Sequence, residues 1–401
     1  MTEQINTPEL RFPEFKNEWK LENLGNLADI VRGASPRPIK DSKWFDDNSD
    51  IGWLRISDVT QQNGKIKFLQ QHLSTEGQKK TRVLYEPHLL LSIAASVGKP
   101  VINYVKTGVH DGFLIFMKPK FDLYFMFNWL ENFQLKWNKY GQPGSQVNLN
   151  SDLVKSQNIY IPYSYEEEEK MGTFFSKLDR QIELEEKKLE LLEQQKRGYM
   201  QKIFSQGLRF KDEEGNYYKE WDTKQLKDVL EFSNKKTTNE NEYPVLTSSR
   251  QGLILQSDYY KDGKTFAESN IGYFILPKNY ITYRSRSDDG IFKFNLNQII
   301  DVGIISKYYP VFKGINTNQY YLTLHLNYQL KKEYIKYATG TSQLVLSQKN
   351  LQNIQTKLPS YEEQTKIANF LSELDKLIEK QSDKVELLKD RKKGLLQKMF
   401  V

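Results

Sequence analysis

Two long stretches of this chain repeat one rhythm of apolar residues, spaced alternately four and three apart. In the first, the rhythm runs through Met171, Phe175, Leu178, Ile182, Leu189, Leu192, Tyr199 and Ile203. In the second, it runs through Ile367, Leu371, Leu374, Ile378, Val385, Leu388, Leu395 and Met399. Both are interrupted at the same two steps by a polar residue, Glu185 and Lys196 in one, Gln381 and Lys392 in the other. A narrow stripe of this kind, opposite an almost wholly charged face, is the heptad seam of a coiled coil. Each stretch predicts a helix of ~40 residues, roughly 60 Å long. The simplest partner for each is the other. The expected seam sets Phe175, Leu178, Ile182, Leu189 and Leu192 against Leu371, Leu374, Ile378, Val385 and Leu388.

The two stretches are also copies. At a constant offset and without a gap they match at Tyr165/Tyr361, Phe174/Phe370, Leu178/Leu374, Asp179/Asp375, Ile182/Ile378, Leu191/Leu387, Lys196/Lys392 and Phe204/Phe400, among others. A repeat near half the chain length means tandem duplication. It reaches beyond the helices: Leu10-Arg11-Phe12 returns as Leu208-Arg209-Phe210, and Trp19 to Leu24 as Trp221 to Leu226. Upstream of each helix lies a strand-like stretch ending in proline, SQVNLNSDLVKSQNIYIPYSYEE at 145–167 and SQLVLSQKNLQNIQTKLPSYEE at 342–363. Proline stops the strand and sets up the helix start. Glu166 to Glu169, and Glu362 and Glu363, then fall in the first turn, where the helix dipole favours acids.

Between these shared edges the halves diverge. The first holds WLRISDV, HLLLSIAASVGKPVINYV and FLIFMKP; the second holds IGYFILPKNYITYRSRSDDG, DVGIISKYYPVFKG and YYLTLHL. Short β-branched and aromatic runs punctuated by Gly, Pro, Asn and Asp predict mixed domains dominated by strands. The expected fold is α+β, with strand-rich domains over 1–164 and 206–360 and long helices over 165–205 and 361–401. Shared ends with unlike middles imply one scaffold presenting two surfaces.

At 401 residues and 38% hydrophobic content the chain has room for two or three domains. Cysteine is absent, which excludes disulfides and thiolate metal sites and points to an intracellular, cytoplasmic protein. The start MTEQINTPELRFPEF has no basic-then-apolar signal pattern, and YFMFNWL at 124–130 is too short to span a bilayer, so no membrane role is expected. Of the net charge of +7 the two helices carry almost none, so the excess lies in the strand-rich parts and suits a polyanion partner. His72, His88, His110 and His325 lack ligand spacing, and there is no phosphate cradle, dinucleotide fingerprint or nucleophile elbow. Glu168-Glu169-Lys170 has a nuclease-like spacing but reads as a solvated helical turn. No catalytic residue, metal or cofactor is expected in this chain.

The better chemical signals are polar, basic loops in the divergent middles. They comprise Ser35, Arg37, Lys40, Arg55, Ser57, Ser96 and Lys99 in the first half. In the second they comprise Lys235, Lys236, Thr247, Ser248, Ser249, Arg250, Arg284 and Arg286. Arg and Lys neutralise phosphates or grip guanine, and Ser and Thr reach phosphates and base edges. Any one of them alone reads as a solvated loop residue; as groups they are candidate DNA contacts, with Arg37 and Arg250 the foremost base readers.

Two variable domains, each followed by a near-identical long helix, resemble the DNA-specificity subunit of type I restriction–modification systems. The resemblance rests on the junctions Pro162 to Glu167 and Pro359 to Gln364, and on Phe174 to Asp179 and Phe370 to Asp375. The ends Gln201 to Phe204 and Gln397 to Phe400 and the openings Gly33 to Pro38 and Trp53 to Val59 add to it. It covers essentially the whole chain, although the second domain lacks a clear counterpart of the Gly-Ala-Ser-Pro opening. It implies two target-recognition domains joined by an antiparallel coiled coil with pseudo-two-fold symmetry, reading a bipartite asymmetric duplex site whose spacer the helices fix. It further implies two adenine methyltransferase subunits carrying S-adenosylmethionine, and motor–nuclease subunits using ATP and Mg, around a non-enzymatic hub. Residues alone leave open a free-standing repressor or architectural protein, and a two-headed coiled-coil adaptor.

Overall fold

The computed structural model describes residues 7–94, 96–140, 149–259 and 269–401, so the 145–148 start of the first strand-like stretch lies outside the described residues. By contacts the chain divides into two compact units, one running to Lys188 and taking in Gln381–Val401, the other Leu189–Lys380. Each unit therefore holds part of both long helices, which span Tyr165–Phe204 and Tyr361–Met399. Serines after the prolines cap them: Ser164 Oγ accepts from the Glu166 N–H at 3.2 Å and Ser360 Oγ from the Glu363 N–H at 3.3 Å.

In the first unit, a five-stranded sheet runs in the order Asp29–Arg32, Phe113–Met117, Leu89–Ser92, Pro100–Asn103, Lys65–Ile66, with only the last pairing parallel. A three-stranded sheet of Gly52–Leu54, Thr107–Val109 and Arg82–Leu84 lies beside it in sequence. The apolar run at 124–130 is neither strand nor span. It belongs to the helix Leu123–Phe133, capped by Asp122, which buries Phe125, Met126, Phe127, Trp129, Leu130 and Phe133.

In the second unit, the main sheet runs Leu230–Ser233, Val311–Gly314, Ile281–Tyr283, Phe294–Leu296, all antiparallel. YYLTLHL, one of the runs expected to favour strands, is instead within the helix Gln319–Tyr328. Asn318 caps it, and Tyr321, Leu322, His325 and Leu326 recur at helical spacing to face the core. His325 is wholly buried, with Nε2 2.7 Å from Thr356 Oγ1, and burial lowers its pKa to about 3, so it is a neutral packing residue.

The duplicated residues outside the seam turn out to be anchors. In the first unit Glu167, only 1% exposed, accepts from Arg11 at 2.6 and 2.7 Å and from Trp19 Nε1 at 3.3 Å. In the second unit Trp221 Nε1 donates to Glu363 at 3.2 Å, with Arg209 3.7 Å away. A carboxylate taken out of water must be paired, and here each pair ties the segment before a domain to the start of the helix after it. The edge pairings Lys20–Asn23 with Asn158–Ile161, and Asp222–Gln225 with Gln355–Leu358, close the same two junctions. Glu168 is not on a solvated face, as its neighbourhood in sequence suggests. It is 3% exposed and accepts from the Asp122 N–H at 2.9 Å, because successive helix residues rotate by ~100° and carry Glu167 and Glu168 inward while Glu166 and Glu169 stay out.

The helix segments pair antiparallel inside each unit. In the first, Leu178 and Ile182 pack on Leu388, and Gln381 Nε2 donates to the Glu185 carbonyl at 3.0 Å and carboxylate at 2.7 Å. In the second, Tyr199 meets Phe370 edge-on at 4.9 Å. Leu189, Leu192, Leu374 and Ile378 are half-buried and Val385 is buried, while Phe175 and Leu371 join the domain cores. The second polar interruption is a crossed ion pair: Lys392 binds Asp179 at 2.8 Å, and Lys196 binds Asp375. Each copy's aspartate takes the other copy's lysine, which sets the register as a buried polar residue does in a coiled coil.

Candidate nucleic-acid interface

In the first unit the loop after the strand Asp29–Arg32 passes so close to the turn at 109–110 that a Cβ on Gly33 would lie 2.2 Å from the His110 carbonyl oxygen. Glycine there lets three side chains converge on Asp111. Ser35 Oγ donates to its Oδ1 at 2.8 Å, Arg37 Nη2 pairs with Oδ2 at 2.6 Å, and Arg32 Nε donates to its carbonyl at 2.6 Å. Partial burial opposes ionisation of Asp111, but the Ser35 hydroxyl, His110 and Arg37 outweigh it and hold the carboxyl below its ordinary range. Burial pushes the adjoining His110 imidazole down.

Beside this cluster opens a cleft of about 680 Å³, lined by Lys40, Asp46, Trp53, Arg55 and His110 among others. Arg55 is turned by Asp58, 3.1 Å from its Nη2, which also accepts the Arg55 N–H at the start of the short helix Ile56–Gln61. Ser57 is exposed on the first turn of that helix. Ser96 and Lys99 stand elsewhere, in the turn between Leu89–Ser92 and Pro100–Asn103. Lys99 lines a different cavity, of about 520 Å³, with Lys65 from the sheet and Asp179 and Lys392 from the long helices.

In the second unit a small cleft of about 110 Å³ gathers Ser248, Ser249, Arg250, Arg284 and Arg286, with Ser287, Lys293 and Tyr309. Arg250 Nη2 binds both oxygens of Asp289 at 2.7 Å. Asp289 also accepts from the Ile291 N–H and Ser287 Oγ, and these bonds with Arg250 hold its carboxyl below the usual range. Asn295 Nδ2 fixes the buried Ser248 hydroxyl at 2.7 Å and the Ser249 carbonyl at 2.9 Å. Arg286 lies over the Tyr308 ring at 5.7 Å. Burial, then Lys196 and Lys331, lowers the Lys293 ammonium. Thr247 sits half-buried in the strand Leu246–Ser248; Lys235 and the Lys236 ammonium, 5.1 Å from the Phe274 ring, lie off this cleft.

Sequence reasoning did not single out Asp111 or Asp289, the residues around which both clusters turn. A signal existed: each immediately precedes a glycine, in His110-Asp111-Gly112 and Asp288-Asp289-Gly290, and Asp-Gly marks a turn. What the clusters offer is exposed guanidinium donors, from Arg37, Arg250, Arg284 and Arg286, with serine hydroxyls beside them, suited to phosphates and base edges. Among the described residues no group of three or more His, Asp or Glu is placed to hold a metal ion, and no helix is long and apolar enough to cross a membrane.

The chain as a whole is similar to known proteins. The type I restriction modification DNA specificity domain matches twice, over residues 16–194 and 218–387. The chain is 28% identical over 264 residues to the type I restriction enzyme MjaVIII specificity subunit of Methanocaldococcus jannaschii, a match covering 59% of this chain and 60% of that relative. It is 24% identical over 424 aligned positions to the protein assigned as the MjaX specificity subunit of the same organism, covering 95% and 92%. Among solved structures, the S subunit of the type I restriction–modification system of M. genitalium shares the fold with a TM-score of 0.60 at 14% identity, covering 98% of this chain and 99% of that one. A chain from a structure addressing complex assembly and conformational transition of the type I system gives 0.52 at 15% identity, covering 96% and 98%. With the domain matched twice across most of its length, this chain belongs to the type I restriction–modification DNA specificity family, as a non-catalytic specificity subunit.

Proposed function

We propose that this chain reads a bipartite, asymmetric duplex DNA site, one half through each strand-rich domain, over 1–164 and 206–360, while the helices at 165–205 and 361–401 set the unread spacer. It recruits two adenine methyltransferase subunits, which bring S-adenosylmethionine, and motor–nuclease subunits, which use ATP and Mg. The observation that carries this reading is the pairing of like anchors with unlike surfaces. Glu167 and Glu363 are held by the same Arg and Trp types, and Asp179/Lys392 repeats as Asp375/Lys196, yet the clefts around Arg37 and Arg250 share no sequence. A duplicated frame with divergent basic loops suits two different half-sites. The partner classes are those that the resemblance to type I specificity subunits implies.

The test is single-molecule sequencing of DNA from cells expressing the chain with its methyltransferase, against cells lacking the chain. A new two-part methylated-adenine motif with a fixed gap is expected. With the methyltransferase present and folded, no new motif overturns the reading in favour of a repressor or adaptor. Four residues inserted before Phe204 lengthen the first helix by roughly 6 Å and should lengthen the gap or abolish methylation. An unchanged gap would refute the spacer role.

A further inference from the structure

We propose that each unit carries a buttressed reading arginine: Arg37 held by Asp111, which Ser35 fixes in turn, in the first, and Arg250 held by Asp289, which Ser287 fixes in turn, in the second. In this scheme the two aspartates are positioning residues for base discrimination. The inference rests on the DNA-reading function proposed above and adds which residues orient the readers.

The two clusters have the same chemistry but not the same ancestry within the chain. In the first, serine and aspartate come from loops 76 residues apart; in the second they are two residues apart in one turn. The arginine reaches its carboxylate from 74 residues before it in one unit and 39 before it in the other. Both clusters lie in the divergent middles, so the tandem duplication did not copy one into the other. An arrangement reached twice from different segments answers a shared demand.

Stability is a poor candidate for that demand. Arg37 is 71% exposed and Arg250 63% exposed, and exposed ion pairs contribute little to folding. Phosphate gripping is a poor candidate too, because a carboxylate beside the guanidinium cancels much of the charge that a phosphate would meet and repels the phosphate itself. What the carboxylate does provide is direction. Both pairs are made through Nη2, which pins one end of the guanidinium while the group's remaining donors stay open to another acceptor pair. The N7 and O6 of guanine in the major groove are such a pair. The serine hydroxyls, and the Ile291 N–H on Asp289, in turn fix the carboxylates. The charge needed for phosphates is supplied nearby, by Lys40 in one unit and by Arg284 and Arg286 in the other.

The experiment is affinity selection from a randomised duplex DNA pool by the full chain, wild type against Asp111→Asn, Asp289→Asn, Arg37→Lys and Arg250→Lys, with the bound DNA sequenced. Asp111→Asn should weaken base preference on the order of tenfold at one or two positions of one half-site, the same positions that Arg37→Lys weakens. Asp289→Asn and Arg250→Lys should do so in the other half-site only. Affinity for non-specific duplex should be unchanged or slightly higher, since a negative charge is lost. The Lys variants keep the charge and the aspartate partner while losing the fork, so they report on reading even if an Asn variant folds poorly. Unaltered preferences in both Asn variants, or an even loss across both half-sites, would overturn the buttress. If the wild-type chain enriches a split site and the Asn variants match it, only the buttress fails. If the wild type enriches no sequence, the DNA-reading function fails and takes the buttress with it.

Discussion

The junction at the start of the first long helix and its counterpart at the second have one geometry and two chemistries. In the first, Arg11 grips Glu167 with both oxygens at 2.6 and 2.7 Å, and the next residue, Glu168, accepts the N–H of the helix cap Asp122. In the second, Arg209 stands off Glu363 at 3.7 Å, and the next residue, Gln364, accepts the N–H of the helix cap Asn318 at 3.0 Å. Position for position, two acids at the first junction are two amides at the second. The Trp–Glu bond and the bond from the helix cap are what the duplication has kept; charge has been free to vary wherever an amide can replace a carboxyl. The first junction is therefore expected to be the more charge-dependent of the two, and each prediction below tests that asymmetry.

The largest difference should come from the arginines. Arg11→Met leaves Glu167 buried with only Trp19 for a partner, and breaking a buried pair in this way costs about 3–5 kcal/mol. Arg209→Met removes a longer contact to Glu363 and the guanidinium's bonds to the Tyr218 and Lys219 carbonyls; Glu363, which burial already raises against the pull of Arg209 and Trp221, can take up a proton, so about 1–2 kcal/mol is expected. Urea denaturation of both variants checks the order; equal losses would erase the asymmetry.

The crossed ion pairs should repeat it more gently. Lys392 bridges Glu131 and Asp179, so Lys392→Met sets two carboxylates facing each other, at a cost of about 2–4 kcal/mol. Lys65, 2.6 Å from Asp179, limits the damage. Lys196→Met leaves Asp375 with the Tyr320 hydroxyl, and about 1–2 kcal/mol is expected. Thermal melts of the two variants at one pH decide it, and a larger loss at Lys196 would overturn the reading.

How much of this was legible beforehand follows from distance along the chain. The long helices were legible because a period between three and four persists through each copy, and the copies confirm one another. Their crossed pairs were half legible: Asp179/Asp375 and Lys196/Lys392 stood out as matches, but that each aspartate takes the other copy's lysine depends on antiparallel register. The anchors were visible as recurrences of Arg, Trp and Glu without any sign that residues about 150 apart would meet. YYLTLHL was misjudged since a short apolar run has no period long enough to separate strand from helix. The buttressing aspartates were hidden for a different reason: what brings Asp111 to Arg37 is the packing of one loop across another, and no local pattern records that. Glu168 was misjudged because a run of four glutamates looks solvated, although a helix turns half of any such run inward.

Glu168 gives the cleanest test, because it varies with pH alone. Burial is the main cause of its carboxyl rising to about 7, with nearby Asp122 and Glu167 adding to the rise against the Asp122 N–H and Lys20. In the unfolded chain a glutamate titrates near ~4.3. Between those two values the folded state binds the extra proton, so stability falls as pH rises through that window and is fully restored below it. Glu168→Gln makes the first junction chemically like the second, since glutamine keeps an acceptor for the Asp122 N–H and has no proton to lose. The variant should equal the wild type near pH 4 and exceed it at pH 8, an advantage that grows from about pH 4.5 upward. The mirror change, Gln364→Glu, should introduce the same pH dependence into the second junction, with the loss again appearing as pH rises. Denaturation midpoints across pH 4–8 measure both. If Glu168→Gln destabilises the protein at pH 8, the ionised carboxylate is itself a structural partner, and the two junctions differ in more than charge.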